Sequence, residues 1–519
     1  MKTGGVAVSR SADGSGNAEY ESYLSKATKE AGFTFSGQIF ALGFGFVANA
    51  VIARLLGADV LGVFVLAWTV VMGVSILTTF GFEGGFVKYI SMYVGQGKRA
   101  EAGSVFGFGL RFGSVAGALG TAAIILLRKP LAHSFFKEPR LEHALLLIAL
   151  VMIPYTVTRL QGAALRALKD MRRSIIGTEI WYRVPRLAVF LLLFYAGFRL
   201  MGIVGAAVVA CGFSAVATLA FVRTSGPFLL ARGARAAIPK RELVTYSSQM
   251  LAETTTAFAL MQSGRLVLGY YLSSADVGVF NVVALLATLA TLFTFSFNAI
   301  FSPMIAEVYH RGRVDLMRSL LHAITRWILI LTLPMFAWLL VSGEGILSIF
   351  GEEFVRGYWA LAFLAAAQLL EGAGGTVSSC LAMTKYQRYN VYNILVMAAV
   401  SVALNIYLVP RMGIAGAAVA TGVAIGLVNA ARLIQGKLLL DVFPYDRTSL
   451  KIAATAVVLL GLAVAVRTWV AVPGGWPWTA GTLVLCYAVG AGLTFLMGIE
   501  REDRLIWSAV LSKLRRRVS

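Results

Sequence analysis

Long apolar segments alternate with short, polar and mostly basic stretches along the whole chain. Runs of about 20 apolar residues recur from one end to the other, and each is long enough to cross a hydrocarbon layer roughly 30 Å thick. The pattern predicts an all-α polytopic membrane protein with about fourteen transmembrane helices. The expected spans are 32–55, 62–82, 104–127, 143–167, 174–198, 201–222, 244–272, 276–303, 317–343, 357–384, 389–409, 412–433, 448–471 and 477–498.

The chain also repeats itself. Three short motifs return in the same order after about 215 residues, which indicates a duplicated block. Because each block holds an even number of spans, the two six-helix bundles are expected to enter the membrane in the same sense, related by a pseudo-two-fold axis along the membrane normal. The matching motifs are ADVLGVF (58–64) with ADVGVF (275–280), TFGFEGGF (79–86) with TFSFNAIF (294–301), and MGIVGAAVV (201–209) with MGIAGAAVA (412–420).

Polar stretches divide the chain into six predicted regions. The two bundles and a final helix pair form the membrane part, and the regions around them are expected to lie in the cytoplasm. The regions are a polar tail at 1–31, a first bundle at 32–223, a basic linker at 224–243, a second bundle at 244–436, a final helix pair at 437–498 and a basic amphipathic tail at 499–519.

The net charge of +21 lies mainly in loops. Roughly 31 Lys and Arg side chains, Arg166 and Arg432 among them, fall on the side shared by both termini, against roughly 8 on the other side, as the positive-inside rule requires. We therefore expect a multi-pass protein of the cytoplasmic (inner) membrane with both termini in the cytoplasm. Since no single soluble face collects the charge, a nucleic-acid partner is not expected.

When the Lys and Arg assigned to the two sides are subtracted from the total of 46, seven arginines remain inside the predicted spans, but few acids do. A charge within the membrane is costly and marks a functional site by default. Because a guanidinium grips phosphate oxygens with a bidentate fork, this excess favours an anionic substrate such as a diphosphate. The seven are Arg54, Arg111, Arg159, Arg183, Arg186, Arg265 and Arg326, and the clearly intramembrane acids are Glu179, Glu253 and Glu371. The predicted substrate-binding residues are Arg265, Arg183, Arg186, Arg159 and Arg54.

Several of these charges have a structural interpretation that stays open. Glu179 precedes Arg183 by four residues, the favourable order for an ion pair within one helix. Arg54 lies at a span end, where a long side chain snorkels to the interface at little cost. Glu253 and Glu179 are the candidates for coupling to protons or sodium ions, and Glu253 is equally suited to pair with a cavity arginine.

No cofactor or metal is predicted. The three cysteines and four histidines show neither the spacing of a metal site nor that of a disulfide framework.

Three sequence motifs resemble one known family. They are ARLLGADVLGVF (53–64), KYISMYVGQGKRAEA (88–102) and RMGIAGAAVAT (411–421). Through them the chain resembles the polysaccharide and O-antigen (Wzx-type) flippases of the multidrug/oligosaccharidyl-lipid/polysaccharide exporter superfamily, over residues 30–440. The resemblance implies two bundles that face each other around a cationic cavity and work by alternating access. It also implies an undecaprenyl-pyrophosphate-linked oligosaccharide as cargo, moved from the inner to the outer leaflet for surface polysaccharide assembly.

Three other functions compete with this one. A peptidoglycan lipid-precursor flippase uses the same chemistry on a different sugar. A cation-coupled multidrug antiporter is disfavoured because the first span, 32–55, lacks the carboxylate that such transporters carry there. A membrane enzyme of lipid-linked sugar assembly is disfavoured because the longest outer loop, 128–142, is short and has no metal-binding pattern.

Overall fold

The computed structural model describes residues 14–231, 236–446, 449–469 and 476–496, without the side chains of 14–42 and of a few single positions. Within these ranges the chain is almost entirely helical and contains no β-strand. The helices are α1 (Gly14–Thr79), α2 (Phe82–Gly95), α3 (Arg99–Lys129), α4 (Arg140–Ile148), α5 (Met152–Ala167), α6 (Met171–Ile175), α7 (Trp181–Tyr195), α8 (Leu200–Ser225), α9 (Lys240–Tyr271), α10 (Ser274–Ala287), α11 (Thr291–His310), α12 (Val314–Phe350), α13 (Tyr358–Gly374), α14 (Thr376–Ala382), α15 (Gln387–Leu440), α16 (Ser449–Trp469) and α17 (Trp476–Leu496).

Two of these helices each contain a pair of the expected spans, joined through a glycine. Gly57 in α1 has φ 79° and Gly413 in α15 has φ 61°, in the left-handed region that glycine adopts without strain. The chain turns at these points, so α1 carries the first two spans and α15 carries the eleventh and twelfth. Within the described residues, eight helices are long and apolar enough to cross a membrane, or nine if one bent pair counts as a span. The count of fourteen is consistent with this and stays a prediction.

α1 begins at Gly14, inside the stretch predicted as a polar tail. The residues between Asn17 and Ala31 are mostly Ala, Glu, Lys and Leu, which favour a helix without needing a buried face. Residues 1–13 of that tail, 232–235 of the linker and the amphipathic tail at 499–519 lie outside the described residues.

The two repeat units meet along α1 and α10. Gly62 in α1 and its repeat mate Gly278 in α10 lie so close to the other helix that a Cβ on either would overlap a backbone carbonyl, that of Ser274 or Ala58. The main hydrophobic core surrounds this crossing and includes Leu66, Val283 and Leu286. The shared ADV…GVF motif therefore serves one purpose in both units, which is to let the two backbones touch.

The final helix pair packs on α12. Ser342 and Thr482 hydroxyls are 2.6 Å apart, and Trp338 Nε1 donates to the Thr479 carbonyl at 2.7 Å. The Tyr487 hydroxyl donates to the Leu331 carbonyl at 3.0 Å. Polar contacts of this kind hold helices together where lipid gives no hydrophobic drive.

Candidate functional site

A cavity of about 590 Å³ lies between the two halves. Its walls come from α1 and α7 of the first half and from α9, α10, α13 and α15 of the second. Arg183 and Arg186 line it on one side, and Arg265 lines it on the other. The structure thus brings three of the predicted substrate-binding arginines to one space.

Arg186 is buried against neutral groups only. Its side chain is 9% exposed, its Nη1 donates to the Tyr182 hydroxyl and its Nη2 to Asn49 Oδ1, both at 3.4 Å. Its Nε has no hydrogen-bond partner. Among the described side chains, no carboxylate lies within ion-pair distance of this guanidinium. A buried cation without a counter-ion is unfavourable unless a ligand supplies the negative charge.

Arg265 on α9 has the same kind of surroundings in the second half. Its Nε donates to Asn281 Oδ1 at 3.2 Å, and its Nη1 donates to Gln262 Oε1 at 2.5 Å and to the Met261 carbonyl at 3.3 Å. In the part of the chain that the structure describes, these are uncharged acceptors and no acid pairs with Arg265. Each half thus presents to the shared cavity one guanidinium that has neutral hydrogen-bond partners and no acid partner among the described side chains.

Arg183 is held by its own helix segment. Its Nη2 and Nε bond Glu179 Oε2 at 2.7 and 3.0 Å, the pairing that their spacing in sequence allowed for. Gly45 of α1 makes room for it, because a Cβ there would overlap the guanidinium. Arg183 therefore lines the cavity with much of its charge already compensated.

A second cavity of about 470 Å³ adjoins the first and lies wholly within the first half. We call it the N-half chamber. Glu83 sits in it between two arginines, with Arg159 Nε at 2.8 Å and Arg166 Nη2 at 3.5 Å. Thr158 also lines it, and the Thr158 hydroxyl has no hydrogen-bond partner. The chamber shares Asn49, Trp68, Met72, Arg183 and Arg186 with the cavity between the halves.

Three aromatic rings form one wall of the N-half chamber. Trp68 stacks on Tyr182 with ring centroids 5.7 Å apart and meets Tyr155 edge-on at 5.8 Å. These ring contacts fix the orientation of the three side chains, and the Tyr182 hydroxyl also accepts the hydrogen bond from Arg186. Trp68 also faces the cavity between the halves.

The second half contributes one acid to the inter-half cavity. Glu371 of α13 lines the cavity and bonds Arg432 at 3.1 Å and Asn429 at 3.0 Å. Arg432 is 5% exposed, so the sequence-based placement of this arginine in an inner loop is wrong. The helix α15 continues eight residues past it, to Leu440, through the buried Gly436 and with no proline in the way.

Two predicted site residues are not brought to these cavities. Arg54 is exposed next to the Gly57 turn, and its Nη1 donates to the Ile349 carbonyl at 3.2 Å. Glu253 is an exposed residue of α9 that lines neither cavity. Arg54 instead ties the first half to the end of α12.

Sequence reasoning missed most of the neutral and aromatic members of the site. One missed residue had a signal, since Arg166 follows Arg159 by seven residues and therefore lies on the same face of α5, two turns away. The side chains without such a signal are Asn49, Trp68, Thr158, Gln262 and Asn281. Amides and aromatics are common in spans, so nothing in the sequence alone marks these as cavity residues.

One end of the interface between the halves is closed by charged groups. Arg140 bonds both carboxylate oxygens of Asp59 at 2.6 and 2.8 Å, and both of Glu138 at 2.8 and 2.9 Å. Ser274, at the start of α10, donates its hydroxyl to Glu138 at 3.0 Å and also to Asp59. The hydrogen bond from Arg140 holds the pKa of Glu138 below its usual 4.5.

The second half makes the corresponding contact with the first half. Glu353 Oε1 accepts the backbone N–H of Ala58, just after the Gly57 turn, at 2.6 Å. Arg356 bonds Asp276 at 3.3 Å, as Arg140 bonds Asp59 in the first half. Each half thus places a carboxylate at the start of a helical segment of the other half, either α10 or the part of α1 after Gly57, where the helix dipole favours negative charge.

Comparison with known proteins decides the family. Residues 51–368 match the sequence model of a family described as "Polysaccharide biosynthesis protein", which is more than half of the 519-residue chain. The chain belongs to this polysaccharide biosynthesis protein family. The family resemblance inferred from the three motifs is therefore confirmed.

A curated relative is the "Probable low-salt glycan biosynthesis flippase Agl15" of Haloferax volcanii. It is 21% identical over 393 residues, which cover 75% of this chain and 79% of that protein. Because 75% of the chain cannot fit within residues 1–368, the similarity to Agl15 extends further into the second half than the family model does.

Solved structures of membrane transporters share the fold of this chain. The lipid II flippase MurJ in an inward closed conformation aligns with a TM-score of 0.69 at 13% identity, over 89% of this chain and 98% of that one. An inward-facing MATE transporter of the MOP superfamily aligns with a TM-score of 0.68 at 13% identity, over 77% and 94%. An outward-facing one gives 0.57 at 12% identity, over 80% and 95%. The predicted all-α, multi-pass membrane architecture is thus confirmed.

Proposed function

We propose that this protein is a flippase that moves an undecaprenyl-pyrophosphate-linked oligosaccharide from the inner to the outer leaflet of the cytoplasmic membrane for surface polysaccharide assembly. The family, the Agl15 relative and the MurJ-like fold support the coarser statement, a flippase of lipid-linked glycans. These relatives are named as flippases and transporters, which favours transport over an enzymatic reaction.

One observation carries the substrate class. Arg186 and Arg265 come from opposite halves, line one cavity and bond only neutral groups in the described part of the chain. A diphosphate has several oxygens spread over two phosphorus atoms and so suits two separate guanidiniums. Bound there, it would neutralise both charges and bridge the halves.

The closed end supports alternating access. Ser274, bonded to the Asp59–Arg140–Glu138 cluster of the first half, and the Glu353–Ala58 bond hold the halves together beside the Gly62–Gly278 crossing. The basic loops lie on the opposite side in the topology that we expect, so the closed end would face the outside. Opening it while the other end closes would carry the head group across, as in transporters built from two repeats.

Glu179 and Glu253 stay candidates for coupling to protons or sodium ions. Glu179 already pairs with Arg183 at the rim of the cavity, so its protonation would release that guanidinium to the substrate. Glu253 is an exposed residue of α9, the helix that also carries Arg265, and would act at the opening of the cavity. A peptidoglycan lipid-precursor flippase remains the second candidate, because MurJ shares the fold over 89% of this chain.

The test is transport in proteoliposomes containing a fluorescent polyprenyl-diphosphate-linked sugar. Arg186→Gln and Arg265→Gln should each slow its transbilayer movement about tenfold to hundredfold, since a hydrogen-bonded charge contributes roughly 1.5–3 kcal/mol. The control is Arg111→Gln, because Arg111 is also intramembrane but is exposed and lines neither cavity. Unchanged transport in both cavity variants would contradict the proposal.

A further inference from the structure

We propose that the N-half chamber is the binding site for the sugar attached to the diphosphate, separate from the phosphate site between the halves. This inference rests on the proposed function. It assigns the chamber's ligand class as a single sugar ring, recognised by its hydroxyl groups and one ring face.

The chemistry of the chamber differs from that of the inter-half cavity. The inter-half cavity is lined mainly by apolar groups, whereas the chamber wall is mainly polar. Glu83 and Glu179 place carboxylates in it beside Arg159, Arg166 and Arg183. With Arg186 the chamber is lined, among the described side chains, by four arginines and two carboxylates, and Glu83 and Glu179 are each bonded to an arginine. Such paired acceptors and donors match a sugar, whose hydroxyls both donate and accept hydrogen bonds.

Two buried polar atoms in the chamber wall lack partners. Thr158 is 6% exposed and Arg186 is 9% exposed, yet Thr158 Oγ1 and Arg186 Nε make no hydrogen bond. Leaving such groups unsatisfied is unfavourable, because each has lost its hydrogen bonds to water on burial. Both atoms belong to residues that line the chamber, which indicates that a bound ligand completes this wall.

The aromatic wall adds the second recognition element. The C–H groups on one face of a sugar ring are apolar, and aromatic side chains offer a flat apolar surface of similar size. Trp68 stands at the junction of the two cavities, and its ring contacts Tyr182, Tyr155 and also Phe64, which stacks on it with ring centroids 6.1 Å apart. The part of this aromatic wall that lines the chamber is therefore a rigid surface for a ring that enters it.

Connectivity links the two sites in the right order. Arg186 lines both cavities, so a phosphate bound to it lies at the mouth of the chamber. The next covalent group after the phosphate is the sugar. The chamber's volume of about 470 Å³ lies within the roughly 300–1,000 Å³ of small-molecule sites. The chamber thus selects the first sugar, while the diphosphate site accepts any glycan.

The test is a binding comparison with purified protein in nanodiscs. One probe is farnesyl diphosphate, and the others are farnesyl diphosphate carrying one glucose, galactose or N-acetylglucosamine on its terminal phosphate. Thr158→Val keeps the side-chain shape and removes only the unpartnered hydroxyl. It should weaken binding of the preferred sugar probe about threefold to tenfold, the effect of one neutral hydrogen bond. Binding of bare farnesyl diphosphate should not change.

A matched control is available in the second half. Thr332 is also fully buried with an unpartnered hydroxyl, and it lines neither cavity. Thr332→Val should leave all four affinities unchanged. Equal affinities for every probe in wild type and Thr158→Val, with bare diphosphate binding still lost in Arg186→Gln, would overturn the sugar site and leave the proposed function standing. Failure of the wild type to bind any of the probes would overturn both.

Discussion

Arginines do opposite things in two regions of this protein. At the closed end, Arg140 bonds two carboxylates, Asp59 and Glu138, through four hydrogen bonds of 2.6–2.9 Å. In the cavity, Arg186 and Arg265 bond only amides, a phenol and a backbone carbonyl in the described part of the chain. The residue type is the same, and the difference is the supply of counter-ions.

This difference indicates what each region does. Charges that are compensated within the protein hold two elements together and need nothing else. Charges that are buried against neutral partners keep their affinity for an anion, because the surrounding amides orient the guanidinium without neutralising it. The closed end is therefore a contact between the halves, and the cavity is a binding site.

The largest effect is expected when Arg186 is given a counter-ion, because this removes the difference between the cavity and the closed end. Asn49→Asp changes one atom of a side chain whose Oδ1 already lies 3.4 Å from Arg186 Nη2. The new carboxylate should compete with the ligand and weaken farnesyl diphosphate binding about tenfold to hundredfold, by the value of a charged hydrogen bond. Titration of the probe in nanodiscs measures this.

Two further variants sharpen that result. Asn281→Asp places the same charge beside Arg265, 3.2 Å from its Nε, and should have a similar effect. Gln96→Glu adds a charge at the exposed end of α2, away from both cavities, and should have none. Wild-type affinity in both aspartate variants would show that the two arginines do not bind the diphosphate.

The next effect concerns the closed end. Gly62→Ala puts a methyl group against the Ser274 carbonyl of α10, which belongs to backbone and cannot move aside cheaply. Overpacking of this kind costs about 1–3 kcal/mol. We expect a lower melting temperature and a wider separation of the halves at this end. Gly212→Ala in α8 is the control, because a Cβ there meets nothing within 4 Å; equal melting temperatures for the two variants would contradict the crossing.

The smallest effect is that of pH on the closed end. Because Arg140 lowers the pKa of Glu138 below its usual 4.5, this carboxylate stabilises the folded contact above that value, and the contribution is lost only as pH falls through the lowered pKa. We expect the closed end to stay shut between pH 8 and about pH 5. Spin labels at the exposed positions Lys137 and Glu352 measure the distance between the halves there.

Glu138→Gln serves as the matched control for the pH series. It removes the charge at constant shape, so the labels should report partial opening already at neutral pH and less response to acid. If the unsubstituted protein opens near pH 6, a group other than Glu138 controls the opening of the closed end.

Most of the fold could be predicted from the sequence, because the signals involved are local or repeated. Each expected span is a long apolar run, and the ADV…GVF repeat indicated the two halves, whereas the crossing at its glycines was seen only in the structure. Helix ends were less predictable. Arg166 and Arg432 were both assigned to inner loops, whereas the first lines the N-half chamber and the second is buried beside Glu371.

The site was predictable only as a set of candidates. The excess of intramembrane arginine indicated an anion, but the direction in which each arginine points depends on how its helix is rotated against its neighbours. Arg54 turned out to contact α12, while Arg186 and Arg265 face the cavity. The contacts of Glu138 with Ser274 and of Glu353 with Ala58 could not be recognised, since in each pair one partner lies in the other half.

The most direct test of the central claim is a cryo-EM map of the protein in nanodiscs with saturating farnesyl diphosphate. We expect density for two phosphates between the guanidiniums of Arg186 and Arg265, with the Asn49 and Asn281 amides unmoved. Diphosphate density at Arg54, or beside Arg159 and Arg166 next to Glu83, with the space between Arg186 and Arg265 empty, would contradict the account.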